Sequence, residues 1–175
     1  MLQTGLLRCM NPAHLHLIFN HLPIMGMVFS LLVLLAGFFL KNRIVKLTAM
    51  GLYAVTALTA LPAFFSGEGA EESIEHLAGV SHDLIEHHED EGKLFLITCL
   101  LTGAAALAAF WLDHKQHRMA PAASYGVLVL GLAGIITGQM AGTSGGYIRH
   151  PEIRKDAAVP QAAPNNQEHE EEEGR

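Results

Sequence analysis

Residues 22–40 read LPIMGMVFSLLVLLAGFFL, an almost unbroken apolar run without a single charged side chain. A helix needs about 20 residues to cross a hydrocarbon core about 30 Å thick, and this run is long enough. Inside lipid the backbone must satisfy its own N–H and C=O groups, which a helix does within one segment. Three more charge-free windows follow at 47–67, 94–112 and 121–141. A soluble bundle would carry a polar stripe at the helical period, and these windows carry none. The pattern predicts an all-α, polytopic membrane four-helix bundle in one domain over 1–154. Its spans fall at about 17–40, 44–66, 92–113 and 120–142.

Composition agrees. Half of the 175 residues are hydrophobic, mean hydropathy is +0.29, and charged residues make up 16%. Soluble domains carry roughly 25%. Small residues recur within the windows, as at Gly103 to Ala106 and at Gly131, Gly134 and Gly138. Such residues let helix backbones approach closely where hydrophobic transfer gives no advantage.

The charges between the windows predict an orientation. The first link holds Lys41, Arg43 and Lys46, and the third holds Lys115 and Arg118 with His114 and His117 against Asp113. The middle segment is acidic, with Glu68, Glu71, Glu72, Glu75, Asp83, Glu86, Glu89, Asp90 and Glu91. Basic links stay in the cytoplasm. The expected topology is therefore N-out/C-out, with an acidic, His-rich extracytoplasmic segment between spans two and three. The expected location is the bacterial inner (cytoplasmic) membrane, with both termini extracytoplasmic. The first run is too long for a signal peptide and lacks a small-residue cleavage site, so it reads as an uncleaved span.

Residues 155–175 form an acidic tail ending in Glu170 to Glu173 before Gly174 and Arg175. Too little of it is apolar to offset its ordering entropy, so it reads as disordered, and its His169 is set aside. The net charge of -6 comes largely from this tail and the middle segment, and it points to no nucleic-acid partner. Cys9 and Cys99 are too few for a disulfide framework.

Histidine is the functional signal. Of eleven in the chain, His114 and His117 belong to the third link and His169 to the tail. The other eight fall at four places that a four-helix bundle brings to one end. His21 and His87, on facing helices, are the candidate axial pair for a b-type haem, which takes two imidazoles. His16, His88 and His150 stand beside them as alternative ligands or as partners to the ligands. A helix capped by Ser81 and running through span three admits only one of His87 and His88 to the bundle axis. Asp83 and Glu91 flank His87 at four residues on either side, where a carboxylate can take the second ring N–H. Span-lining Gly103 and Gly138 can leave room for a porphyrin.

His14, His76 and His82, with Glu68 and Glu72, are the candidate ligands for a bare copper, zinc or iron ion. The E-x-x-H spacing of diiron bundles is missing from the middle segment. No H-E-x-x-H, C-x-x-C, C-x-x-C-H, P-loop or GxGxxG pattern occurs, and no nucleophile or base arrangement assigns an enzyme. Each feature has a plainer reading: an acidic run is a solvated surface, and a lone interfacial histidine serves lipid headgroups or backbone.

The motifs taken in order are His14-Leu15-His16, His21-Leu22-Pro23-Ile24, Ser66-Gly67-Glu68, His87-His88-Glu89 and Gly145-Gly146-Tyr147-Ile148-Arg149-His150. Over residues 14 to about 150 the chain resembles four-span bacterial membrane proteins of unknown function. That group shares an N-terminal H-x-H, an H-x-P-I at span one and a Gly-Gly-x-x-x-His exit. The resemblance implies a haem or metal carrier near a respiratory chain.

The leading expectation is a haem b protein passing electrons between a membrane quinone pool and a periplasmic partner. Its partners would be membrane lipid and a respiratory or other redox membrane complex. The alternatives are a metal-handling or respiratory-oxidase assembly protein, to which Met10, Met25, Met27 and Met140 lend loose support, and a structural subunit of a membrane complex. A transporter fits less well, because no span contains an acid.

Overall fold

The computed structural model describes residues 12–74 and 81–154, and among these residues no strand occurs. The elements are α1 (Pro12–Phe19), α2 (His21–Phe39), α3 (Arg43–Phe65), α4 (Gly67–Ile74), α5 (His82–His114) and α6 (Ala120–Arg149), then a 3-10 turn at Pro151–Ile153. Four stretches are long and apolar enough to cross a membrane: Ala13–Phe39, Arg43–Glu71, His82–His114 and Ala120–Arg149. The tail at 155–175 and His76 lie outside the described residues.

The two short links close in the same way. Asn42 N–H donates to Gly37 O (3.0 Å) and His117 N–H to Leu112 O (2.9 Å), each spanning a residue with positive φ, Lys41 at 49° and Gln116 at 52°. These are Schellman closures made without glycine. Asn42 then caps α3, its Oδ1 accepting from the backbone N–H groups of Ile44 and Val45. Arg43 and Asp113 pair across the two links, so both basic links sit at one end of the bundle. Arg43 is about half-exposed, and such a pair contributes at most about 1 kcal/mol.

The helices pack in a ring, α2 on α3, α3 on α5, α5 on α6 and α6 on α2, while α1 rests on α3 and α4. Their core is small and tight. Met27, Leu34, Met50, Tyr53, Cys99 and Val127 are fully buried, with alanines and glycines between them. Gly103 meets Ala57 and the Tyr53 carbonyl, and Gly138 meets the Phe95 ring, so both are filled by packing and leave no porphyrin space. Gly131 is the tightest, since a Cβ there would lie 2.1 Å from the Tyr53 hydroxyl. Outward, Phe29, Leu32, Leu58, Leu101, Leu107, Val129 and Leu132 are exposed, which costs nothing where the surroundings are lipid chains.

Candidate functional site

The end opposite the basic links gathers α1, α4, the start of α5 and the end of α6. Here two imidazoles face each other. His16 of α1 and His88 of α5 have ring centres 6.3 Å apart with planes 85° to one another. Both side chains are partly buried.

Each ring is held by its Nδ1. His16 Nδ1 lies 2.9 Å from Ala63 O on α3 and 3.3 Å from Ser66 Oγ. A carbonyl only accepts, so Nδ1 carries the proton, and in the neutral ring the lone pair belongs to Nε2. His88 Nδ1 lies 3.0 Å from Ser144 Oγ, whose own hydroxyl donates to Ala141 O at 3.2 Å. With the serine proton committed to that carbonyl, its oxygen accepts from Nδ1–H, and Nε2 is again the free base. This is the outer-shell arrangement that orients a ligating imidazole.

Glycine lies against each ring, and at Gly145 the space is tight while at Gly67 a Cβ would make only ordinary contact. A Cβ on Gly145 would stand 3.0 Å from His88 Cε1 and 3.5 Å from its Nε2, and one on Gly67 would stand 3.8 Å from His16 Cε1. These glycines belong to the Gly-Gly-x-x-x-His and Ser-Gly-Glu motifs singled out in the sequence.

His16 and His88 would be the residues to hold a metal that takes two imidazoles. Two rings bound through Nε2 to one metal atom, each at about 2 Å, would have centres about 6 Å apart. The observed separation matches that requirement. An ordinary edge-to-face ring contact also falls within this range, so the decisive feature is the chemistry, with both Nδ1 atoms tied and both Nε2 atoms basic.

The structure brings together a different pair from His21 and His87. His21 is exposed at the start of α2. The His87 side chain is 63% exposed and lies 3.4 Å from the Glu91 carboxylate. The two are adjacent, and the turn of 100° per residue puts His88 inward and His87 outward. His150 is exposed and pairs with Glu152 at 2.9 Å. The Glu152 carboxyl is held below its ordinary range by its own backbone N–H and by His150.

The bare-ion set is dispersed: His14, His82 and Glu68 are exposed. Glu72 belongs to α4, and among the described residues no three His, Cys, Asp or Glu side chains converge as a metal site would require. The sequence reading missed Ser144 and quoted Ser66 and Gly145 only as parts of motifs, without their contacts to the rings. The signal for Ser144 was faint, one hydroxyl among small residues at the end of an apolar helix.

Fold and site together define a class: a four-helix protein suited to crossing a membrane, with a paired-imidazole site at one end. Compared with protein families, curated proteins and solved structures, the chain matches none of them.

Proposed function

We propose that this chain is a membrane electron-transfer protein that holds a b-type haem between His16 and His88. The observation that carries the reading is the facing pair itself, each ring fixed through Nδ1 and presenting a basic Nε2. A haem bound there would supply reversible one-electron storage. The chain's own contribution is positional. Ala63, Ser66 and Ser144 hold the rings, while Gly145 keeps space at the edge of His88. In this reading the basic links face the cytoplasm, and the paired imidazoles face the periplasm of a bacterial inner membrane. Electrons would pass between a membrane quinone pool and a periplasmic redox partner.

A second reading rests on the same pair. Two neighbouring neutral imidazoles also suit a single soft or borderline ion such as Cu(I), which would make the protein a metal carrier or an oxidase assembly factor.

The test is a reduced-minus-oxidised absorption spectrum of the detergent-purified protein, with elemental analysis alongside. A b-type α band in the wild type that is lost in His16→Ala and His88→Ala is the expected result. A flat spectrum with stoichiometric copper moves the assignment to the ion, and a flat spectrum with no metal ends both readings.

A further inference from the structure

Beside His88, on the other face of α5, an open groove of about 280 Å³ runs between α5 and α6. Its walls are uneven in character. Ile136 and Met140 line it and are 62% and 40% exposed, so the groove opens sideways to the lipid. Beside them Gln139, Thr143 and Tyr147 recur every fourth residue and form one polar stripe along α6, opposite His87 and Glu91 on α5. The stripe starts at the end of the 120–142 window and runs past it, so the groove lies at the membrane edge, where a ligand with an apolar body and a polar head fits.

Glu91 is the unusual member. Its side chain is only 13% exposed, one carboxylate oxygen lies near His87, and the other, Oε2, is buried without a hydrogen-bond partner among the described residues. A buried acceptor left unmade costs the desolvation of that atom, so a donor supplied by a ligand would be bound strongly. The ligand's chemistry follows. It arrives from the membrane, so it has an apolar body. It must donate a hydrogen bond to a carboxylate. It should carry no negative charge of its own, which disfavours phospholipid phosphates and fatty acids beside Glu91.

Ser144 gives the last constraint. It lines the groove and also accepts from His88 Nδ1, so a head group bound here lies one side chain away from the imidazole pair. Resting on the haem reading, we propose that the groove binds the dihydroxy ring of a membrane quinol, with Glu91 accepting a hydrogen bond from one hydroxyl.

The test uses the full chain in phosphatidylcholine vesicles and a decyl quinol carrying a diazirine on its ring, with labelled residues mapped by mass spectrometry. Labelling should concentrate on 87–91 and 136–147, and excess unlabelled decyl quinol, but not diacylglycerol, should compete it away. Glu91→Gln should lower the yield about tenfold, as expected for losing one charge-assisted hydrogen bond. Thr143→Val should lower it by a smaller factor. His16→Ala removes a proposed haem ligand outside the groove and should leave the labelling intact. A wild type without haem that still labels here would sink the haem reading and leave the quinol site standing. Even labelling over all lipid-facing residues, equal competition by diacylglycerol, or a Glu91→Gln yield equal to wild type would overturn the site.

Discussion

Replacing Ser144 by Ala isolates what holds His88. The substitution removes one oxygen, and that oxygen is the acceptor of a 3.0 Å bond from His88 Nδ1. A net hydrogen bond is worth about 1 kcal/mol, and a buried donor left unsatisfied costs about 1–3 kcal/mol. Ala141 O is also a backbone hydrogen-bond partner of the His88 ring and can take over part of the bond, which favours the lower half of that range. About 1.4 kcal/mol is a tenfold change in an equilibrium constant. The expected loss is therefore about tenfold in haem affinity, within the 10–100-fold typical of outer-shell partners.

The assay is haem titration of the purified apoprotein, followed by absorbance. Ser124→Ala is the control: it deletes a buried serine of the same helix with the same kind of bond, Ser124 Oγ to Ala120 O at 3.0 Å, near the opposite end. If Ser144→Ala binds as the wild type does, or if Ser124→Ala weakens binding equally, the orienting role of Ser144 is wrong.

Gly131→Ala should destabilise the fold by about 1–3 kcal/mol, because its Cβ would meet the Tyr53 hydroxyl. That hydroxyl is buried without a partner among the described residues, so Tyr53→Phe should be neutral or stabilise by up to about 1 kcal/mol and should rescue part of the Gly131→Ala loss in thermal unfolding. His21→Ala and His150→Ala should leave the difference spectrum unchanged, since both side chains are exposed, and loss of the band in His21→Ala would restore His21 as a ligand. In a background of Cys9→Ser and Cys99→Ala, a membrane-impermeant maleimide added to intact cells should label Ser81→Cys and spare Lys115→Cys. The opposite pattern would invert the topology.

Much of the fold is legible from residue order because its signals are local. Charge-free windows of membrane length mark the four long helices, and a break such as 41–42 or 115–117 stands out between them. The long α5, starting just after Ser81, also follows from a cap residue placed ahead of a stretch without proline that runs on into the apolar window. The histidine end was legible only as a region. Its membership follows from which helix ends meet, and antiparallel packing brings α1, α5 and α6 together there whatever their exact rotation.

The choice among those histidines is rotational and rests on contacts between distant residues. A turn of 100° per residue separates His87 on the surface from His88 inside, and nothing in the pair of letters says which way α5 faces. His16 is selected because Ala63, 47 residues away, presents a carbonyl to it, and His88 because Ser144, 56 residues away, presents a hydroxyl. Gly103 and Gly138 read as space in the sequence and prove to be filled by Ala57 and Phe95. The sequence by itself determined the four apolar helices and the end where the histidines gather, since length and hydropathy are properties of single segments. Which imidazoles turn inward, and which oxygens fix them, was decided by tertiary packing, because both depend on the relative rotation of helices that are remote in the chain.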